Sequence, residues 1–138
     1  MRILFVCTGN TCRSPLAAAY LREKRPGWSV ESAGVAAEPG APASDKAQEL
    51  AAEVGLELGS HKAQPVGALS LEDFDRIYTM SSSHLRFLPK EHNAVVLSNL
   101  AGKAKDVDDP YGRGLQSYRE AFDEIRCYLD ELLTEARA

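Results

Sequence analysis

Cysteine is scarce in this 138-residue chain, which has only Cys7, Cys12 and Cys127. Three is an odd number and too few for a disulfide framework, so these thiols serve chemistry or packing. Basic runs are missing too. Lys and Arg total 16 against 20 Asp and Glu, a net charge of −4, which argues against a nucleic-acid coat or a polybasic membrane binder. Long apolar runs are also absent. The N-terminal stretch Ile3 to Cys7 is far shorter than the ~20 residues of a spanning helix and the about 7–15 of a signal peptide, so a cytoplasmic protein is expected. With no repeat, low-complexity tract or long linker, and with 44% hydrophobic and 26% charged residues, the chain reads as one domain over 1–138. A monomer is expected.

Residues Arg2 to Val6 form a continuous run of strand formers, and a run without alternation marks a strand covered on both faces. A polar stretch, Cys7 to Arg13, follows, and Ser14-Pro15 reads as N-cap and first position of a helix over 15–24. Ala17, Ala18 and Ala19 are small enough to bring that helix close to a sheet. Further strands are expected at Trp28 to Ser32, Phe74 to Thr79 and Asn93 to Leu97, with a helix from Ser44 to Val54 ended by Gly55. In the last helix Tyr118, Ala121, Phe122, Ile125, Tyr128, Leu129, Leu132 and Leu133 follow the i, i+3, i+4, i+7 spacing of a buried stripe. At about 100° per residue Cys127 falls opposite that stripe, as a surface thiol. Strands alternating with helices imply an α/β fold, a single parallel sheet layer whose ligands bind beyond the carboxyl ends of the strands.

The loop in that position is Cys7-Thr8-Gly9-Asn10-Thr11-Cys12-Arg13-Ser14, and its composition suits an oxyanion. Gly9 and Asn10 are the residue types that most easily take left-handed backbone angles, which lets successive N–H groups converge on one anion. The following helix points its positive end there, and Arg13 adds a planar fork for phosphate oxygens. A cysteine in that field is expected to lose its proton readily, which makes Cys7 a thiolate nucleophile facing a phosphoryl group. The competing reading of Cys7, a small buried hydrophobe at a strand end, leaves Gly9, Asn10, Arg13, Ser14 and Pro15 unexplained. The Gly-Lys-Ser/Thr ending of an ATP-type loop is missing, so no nucleotide is expected. No Cys/His cluster has ligand spacing, so neither metal nor cofactor is expected.

The stretch Val6 to Pro15, with Ser32-Ala33-Gly34 and Asp109-Pro110-Tyr111-Gly112 downstream, resembles the low-molecular-weight protein tyrosine phosphatases over essentially the whole chain. The resemblance implies a four-stranded parallel sheet with helices on both faces and phosphorylated proteins as substrates. Cys7 would attack phosphorus to form a phosphocysteine, while Arg13 and the amides of Thr8, Gly9, Asn10, Thr11 and Cys12 hold the phosphoryl oxygens. Asp109 would be general acid, then base. Asp-Pro-Tyr-Gly is also an ordinary turn with Asp106 and Asp108 beside it, and only the resemblance separates Asp109 from them. It also implies that Asn10, Ser14, Ser32 and His61 brace the loop, that Cys12 can trap Cys7 as a disulfide, and that Tyr111 walls the pocket. His61, His84 and His92 otherwise read as exposed or structural, and His61 alone has a family reason to differ.

Thr11 departs from the tyrosine-directed pattern, which commonly has Ile there, and resembles the protein-arginine phosphatase branch. A hydroxyl on the wall can hydrogen-bond a polar leaving group, whereas an aliphatic wall leaves the N–H donors of phosphoarginine unpaired. The loop Ala36-Ala37-Glu38-Pro39-Gly40 lacks the aromatic of many tyrosine-directed relatives and offers the Glu38 carboxylate to a guanidinium. Phosphoarginine is therefore the first expectation and phosphotyrosine the second. The arsenate reductases of the same fold use two further cysteines in the second half, and Ser81 to Phe87 has none. A non-catalytic phosphate-binding module is disfavoured by the presence of both Cys7 and Asp109.

Overall fold

Four strands, β1 (Arg2–Cys7), β2 (Ser29–Gly34), β3 (Arg76–Thr79) and β4 (Val95–Val96), pair in the order β2-β1-β3-β4, every pair parallel. The structure, a computed structural model, describes residues 1–89 and 94–135. Strand β1 sits between two partners, which explains its apolar run. Ile3, Phe5 and Cys7 face one cluster of buried side chains, and Leu4 and Val6 face another.

The three α-helices, α1 (Arg13–Lys24), α2 (Asp45–Glu53) and α3 (Leu115–Glu135), contribute to the cluster on the Ile3 and Phe5 side. Helix α1 has no exposed face along about its first two and a half turns: Arg13 through Leu21 are all buried, and the alanines let it pack against β1 and β2. Helix α3 buries the eight residues its periodicity selects and leaves Cys127 exposed. The Leu4 and Val6 side is covered by the short 3-10 turns Val66–Ala68 and Leu71–Asp73, and by Leu88 just after the turn Ser82–Phe87. The helical cover on both faces is thus unequal in kind. No helix among the described residues is long and apolar enough to cross a membrane.

Several boundaries differ from the sequence reading. Ser14 is not the N-cap of α1. The helix begins at Arg13 with Cys12 as its N-cap, and Cys12 makes no side-chain capping bond. The Ser14 hydroxyl is committed elsewhere. Strand β2 starts at Ser29, because Trp28 N–H closes a turn on the Arg25 carbonyl at 3.0 Å, and continues to Gly34, which pairs with Cys7. Strand β3 starts at Arg76, because Phe74 closes the 3-10 turn Leu71–Asp73. The fourth strand shrinks to Val95–Val96, since Leu97 opens another 3-10 turn. Asn93 and His92 lie outside the described residues. Helix α2 is capped by Ser44, whose Oγ accepts Ala47 N–H at 3.3 Å, and ends before Gly55 at φ +77°.

Candidate active site

The β1–α1 loop closes over the carboxyl end of the sheet, held by hydrogen bonds from three directions. Val35 N–H donates to the Cys7 carbonyl at 3.0 Å and Ala36 N–H to the Thr8 carbonyl at 2.9 Å, which extends the β2 pairing past its end. Gly34 allows that approach. A Cβ there would lie 2.5 Å from the Thr8 carbonyl oxygen and 3.0 Å from the Asn10 nitrogen.

Asn10 holds the left-handed turn at φ +57°. Gly9 does not share that conformation, contrary to expectation, and a Cβ on it would meet only Thr11 Oγ1 at 3.6 Å. Asn10 is fully buried, and its amide is used at both ends. Nδ2 donates to Ser14 Oγ at 2.8 Å and to Ser32 Oγ at 2.9 Å, and Oδ1 accepts Gln64 N–H at 3.0 Å. His61 Nε2 donates to the Asn10 carbonyl at 2.7 Å, and burial pushes the His61 pKa down. Asn10, Ser14, Ser32 and His61 therefore form one bonded group behind the loop.

Cys7 Sγ lies 2.8 Å from Ser14 Oγ. Asn10 Nδ2 can only donate, so it uses one acceptor position of Ser14 Oγ and leaves the Ser14 hydroxyl hydrogen available to the sulfur, which accepts it when Cys7 is ionised. Burial, with only 3% of Cys7 exposed, pushes the thiol up from its ordinary range. The Ser14 hydroxyl and amide, the Arg13 guanidinium and the Asn10 amide all pull it down. Burial thus works against the ionisation that these donors favour. A helix N-terminus favours a thiolate, whereas removing the sulfur from water opposes the charge.

Arg13, 4% exposed, is held at both ends of its fork. Nη1 donates to the Val107 carbonyl at 2.8 Å and to Ser81 Oγ at 3.2 Å. Nη2 donates to Thr8 Oγ1 at 3.4 Å and lies 3.7 Å from Asp109 Oδ2. Sequence reasoning missed Ser81 and placed His84 no nearer than the general structural class. His84 is buried. Its Nε2 is 2.9 Å from Thr8 Oγ1 and its Nδ1 accepts Ser81 N–H at 3.1 Å. Burial and the neighbouring Arg13 push its pKa down to about 4. Only a Ser-Ser-Ser-His run just after a strand signalled these residues in the sequence.

A cavity of about 780 Å³ opens above the loop. Cys7, Thr8, Gly9, Thr11, Cys12 and Arg13 form its floor, and Glu38, Asp109 and Tyr111 its rim. Among the three neighbouring acids, Asp109 alone lines it. The carboxylate of Asp106 instead accepts Ser82 N–H at 2.8 Å. Asp109 Oδ1 accepts Tyr111 N–H at 3.1 Å, and half of its side chain is exposed. Cys12 is a free thiol, as is Cys7. Its sulfur lies 3.3 Å from Ser44 Oγ and 3.4 Å from the Tyr118 hydroxyl. The cavity also reaches Ser44, Asp45, Lys46 and Tyr118, none of which was singled out for the site. No group of three or more His, Cys, Asp or Glu side chains among the described residues is placed to hold a metal ion.

Comparisons with known proteins agree with this geometry. Residues 2–138 match the family model for low molecular weight phosphotyrosine protein phosphatase. A protein-arginine-phosphatase of Geobacillus stearothermophilus is 37% identical over 95% of this chain and 93% of its own. A probable low molecular weight protein-tyrosine-phosphatase of Ralstonia solanacearum is 35% identical over 99% and 96%. The crystal structure of a low molecular weight protein tyrosine phosphatase from T. tengcongensis superposes with a TM-score of 0.88 at 36% identity, covering 98% of this chain and 99% of that one.

Proposed function

The chain belongs to the low-molecular-weight, cysteine-dependent protein phosphatases, and from that membership we propose that it removes phosphoryl groups from phosphoarginine in proteins. Cys7 Sγ, as the thiolate, attacks phosphorus and displaces the arginine guanidino nitrogen, breaking the P–N bond and forming a phosphocysteine. Asp109 gives its proton to the departing nitrogen. In the second step Asp109 takes a proton from water, the resulting oxygen nucleophile attacks phosphorus, and Cys7 leaves as the thiolate. The Ser14 hydroxyl stabilises that leaving group. The loop amides and the Arg13 fork carry the charge of the equatorial oxygens in both transition states.

The observation that carries the arginine reading is that Thr11 and Glu38 both line the cavity that Cys7 and Arg13 line. A hydroxyl and a carboxylate are acceptors for guanidino N–H groups, and a site that pairs such donors discriminates against an analogue lacking them. A second reading, phosphotyrosine, is favoured by Tyr111, 69% exposed on the same rim and able to lie against an aromatic ring. Relatives of both kinds resemble the chain to nearly the same degree. Side-by-side hydrolysis of phosphoarginine and phosphotyrosine proteins by the wild type and Thr11→Ile tests the choice. The wild type is expected to prefer phosphoarginine, and Thr11→Ile to shift the ratio toward phosphotyrosine by about 10-fold or more. A wild-type preference for phosphotyrosine reverses the assignment.

A further inference from the structure

The contacts of His84 impose a direction on hydrogen bonds that run into the cavity. Ser81 N–H donates to His84 Nδ1 at 3.1 Å, so that nitrogen carries no proton, and the neutral ring holds its hydrogen on Nε2. Nε2 lies 2.9 Å from Thr8 Oγ1 and therefore donates to it. Arg13 Nη2 donates to the same oxygen at 3.4 Å. A hydroxyl oxygen has two acceptor positions and one hydrogen. With both positions occupied, Thr8 can offer a further partner only its hydrogen.

The residues involved form a closed ring. Arg13 Nη1 donates to Ser81 Oγ, the Ser81 amide to His84, His84 to Thr8, and Arg13 Nη2 to Thr8. Thr8 lines the floor of the cavity beside Cys7 and Arg13. We propose that His84 is a positioning residue that makes the Thr8 hydroxyl an obligate hydrogen-bond donor to the bound phosphoryl oxygens, and that it fixes the plane of the Arg13 guanidinium through the same ring. The inference rests on the phosphatase reading above and deepens it. It adds a side-chain donor to a cradle otherwise made of backbone amides and one arginine. The groups that act on the His84 charge are Arg13, which opposes it, and Asp106 and Asp109, which favour it. The Ser81 amide holds Nδ1 unprotonated as long as the ring is neutral.

Two measurements test this. In the first, the imidazole 15N spectrum of the wild-type protein at neutral pH is expected to show His84 as the Nε2–H tautomer, and an Nδ1–H tautomer overturns the proposal. The second compares inorganic phosphate affinity and aryl phosphate hydrolysis in the wild type, Thr8→Val, His84→Ala, His84→Gln and the Thr8→Val/His84→Ala pair. Thr8→Val keeps the shape of an exposed side chain and is expected to weaken phosphate binding about 10-fold. His84→Ala should weaken it to a similar extent, and the pair no further than either alone. His84→Gln, which can accept from Ser81 and donate to Thr8, should bind within about 3-fold of the wild type. Thr8→Val binding phosphate as the wild type does, or additive losses in the pair, overturns the proposal. If His84→Ala does not fold, Thr8→Val and the tautomer decide alone. Wild-type protein that binds phosphate but hydrolyses no phosphoester or phosphoamidate overturns the function, and the binding arm still judges His84. Hydrolysis with unaltered Thr8→Val binding overturns only the role of His84.

Discussion

Once Cys7 is ionised its sulfur has no hydrogen to give, and Asn10 Nδ2 only donates, so the Ser14 hydroxyl between them donates to the thiolate. That makes Ser14 the largest of the influences lowering a thiol that burial raises. Ser14→Ala removes a hydrogen bond to a developing charge, worth about 1.5–3 kcal/mol, and leaves the desolvation intact. The Cys7 pKa therefore rises further. Alkylation by iodoacetamide at pH 7 is expected to slow by about 10-fold or more, with the rate–pH profile displaced upward, and an unmoved profile would exclude the role of Ser14. The acid is tested in the same way. Asp109→Asn should slow hydrolysis of an aryl phosphate by ~100-fold or more, whereas Asp108→Asn, outside the cavity lining, should leave it near the wild type. Equal losses in the two variants would mean that the acid is misassigned.

At the scale of elements, the loop depends on how closely β2 approaches it. Gly34→Ala places a methyl group 2.5 Å from one backbone atom of the loop and 3.0 Å from another. Backbone cannot yield as a flexible side chain can. A loss of about 1–3 kcal/mol of stability is expected, together with a smaller rise in melting temperature on adding phosphate, because the displaced amides are those that bind it. Gly27→Ala, with nothing within 4 Å of its new methyl, is the control and should keep the wild-type response. The Ser32-Ala33-Gly34 motif was visible in the sequence, but the reason for its glycine was not, since the contact joins residues distant along the chain. Helix α3 lies at the other extreme. Its buried face was readable residue by residue, because one period sets all eight positions. The start of α1 was misread because a serine before a proline is an ordinary cap, and only tertiary structure shows Ser14 bonded to Cys7 and Asn10 instead. The 3-10 cover of the second face left no periodic signal, since each turn is too short to repeat one. His84 was obscured for the same reason: it sits in such a turn and meets Thr8 from 76 residues away.

At the scale of the whole molecule, the site burdens the fold at acid pH. His84 is held neutral down to about pH 4, against an ordinary value of 6.5, and His61 is shifted in the same direction. As the pH falls below 6.5 the unfolded chain takes up these protons while the folded one does not, so folding stability drops. For His84 the loss is complete near pH 4, and a shift of that size corresponds to about 3 kcal/mol. The paired carboxylates of Glu53 and Glu135 are shifted below their ordinary 4.5 by Arg119 and Arg76. Their stabilisation is present above 4.5 and is lost only below it, so the two effects occupy different pH windows. Urea unfolding between pH 7 and 4.5 therefore reports mainly the histidines. The wild type is expected to lose stability steadily across that window, and His84→Gln, which keeps a hydrogen-bonding side chain without the titration, to lose clearly less. A wild-type stability that is flat from pH 7 to 4.5 would mean that His84 takes its proton in the folded state. The Nδ1 acceptor facing Ser81, and with it the direction of every bond from that ring into the cavity, would then be lost.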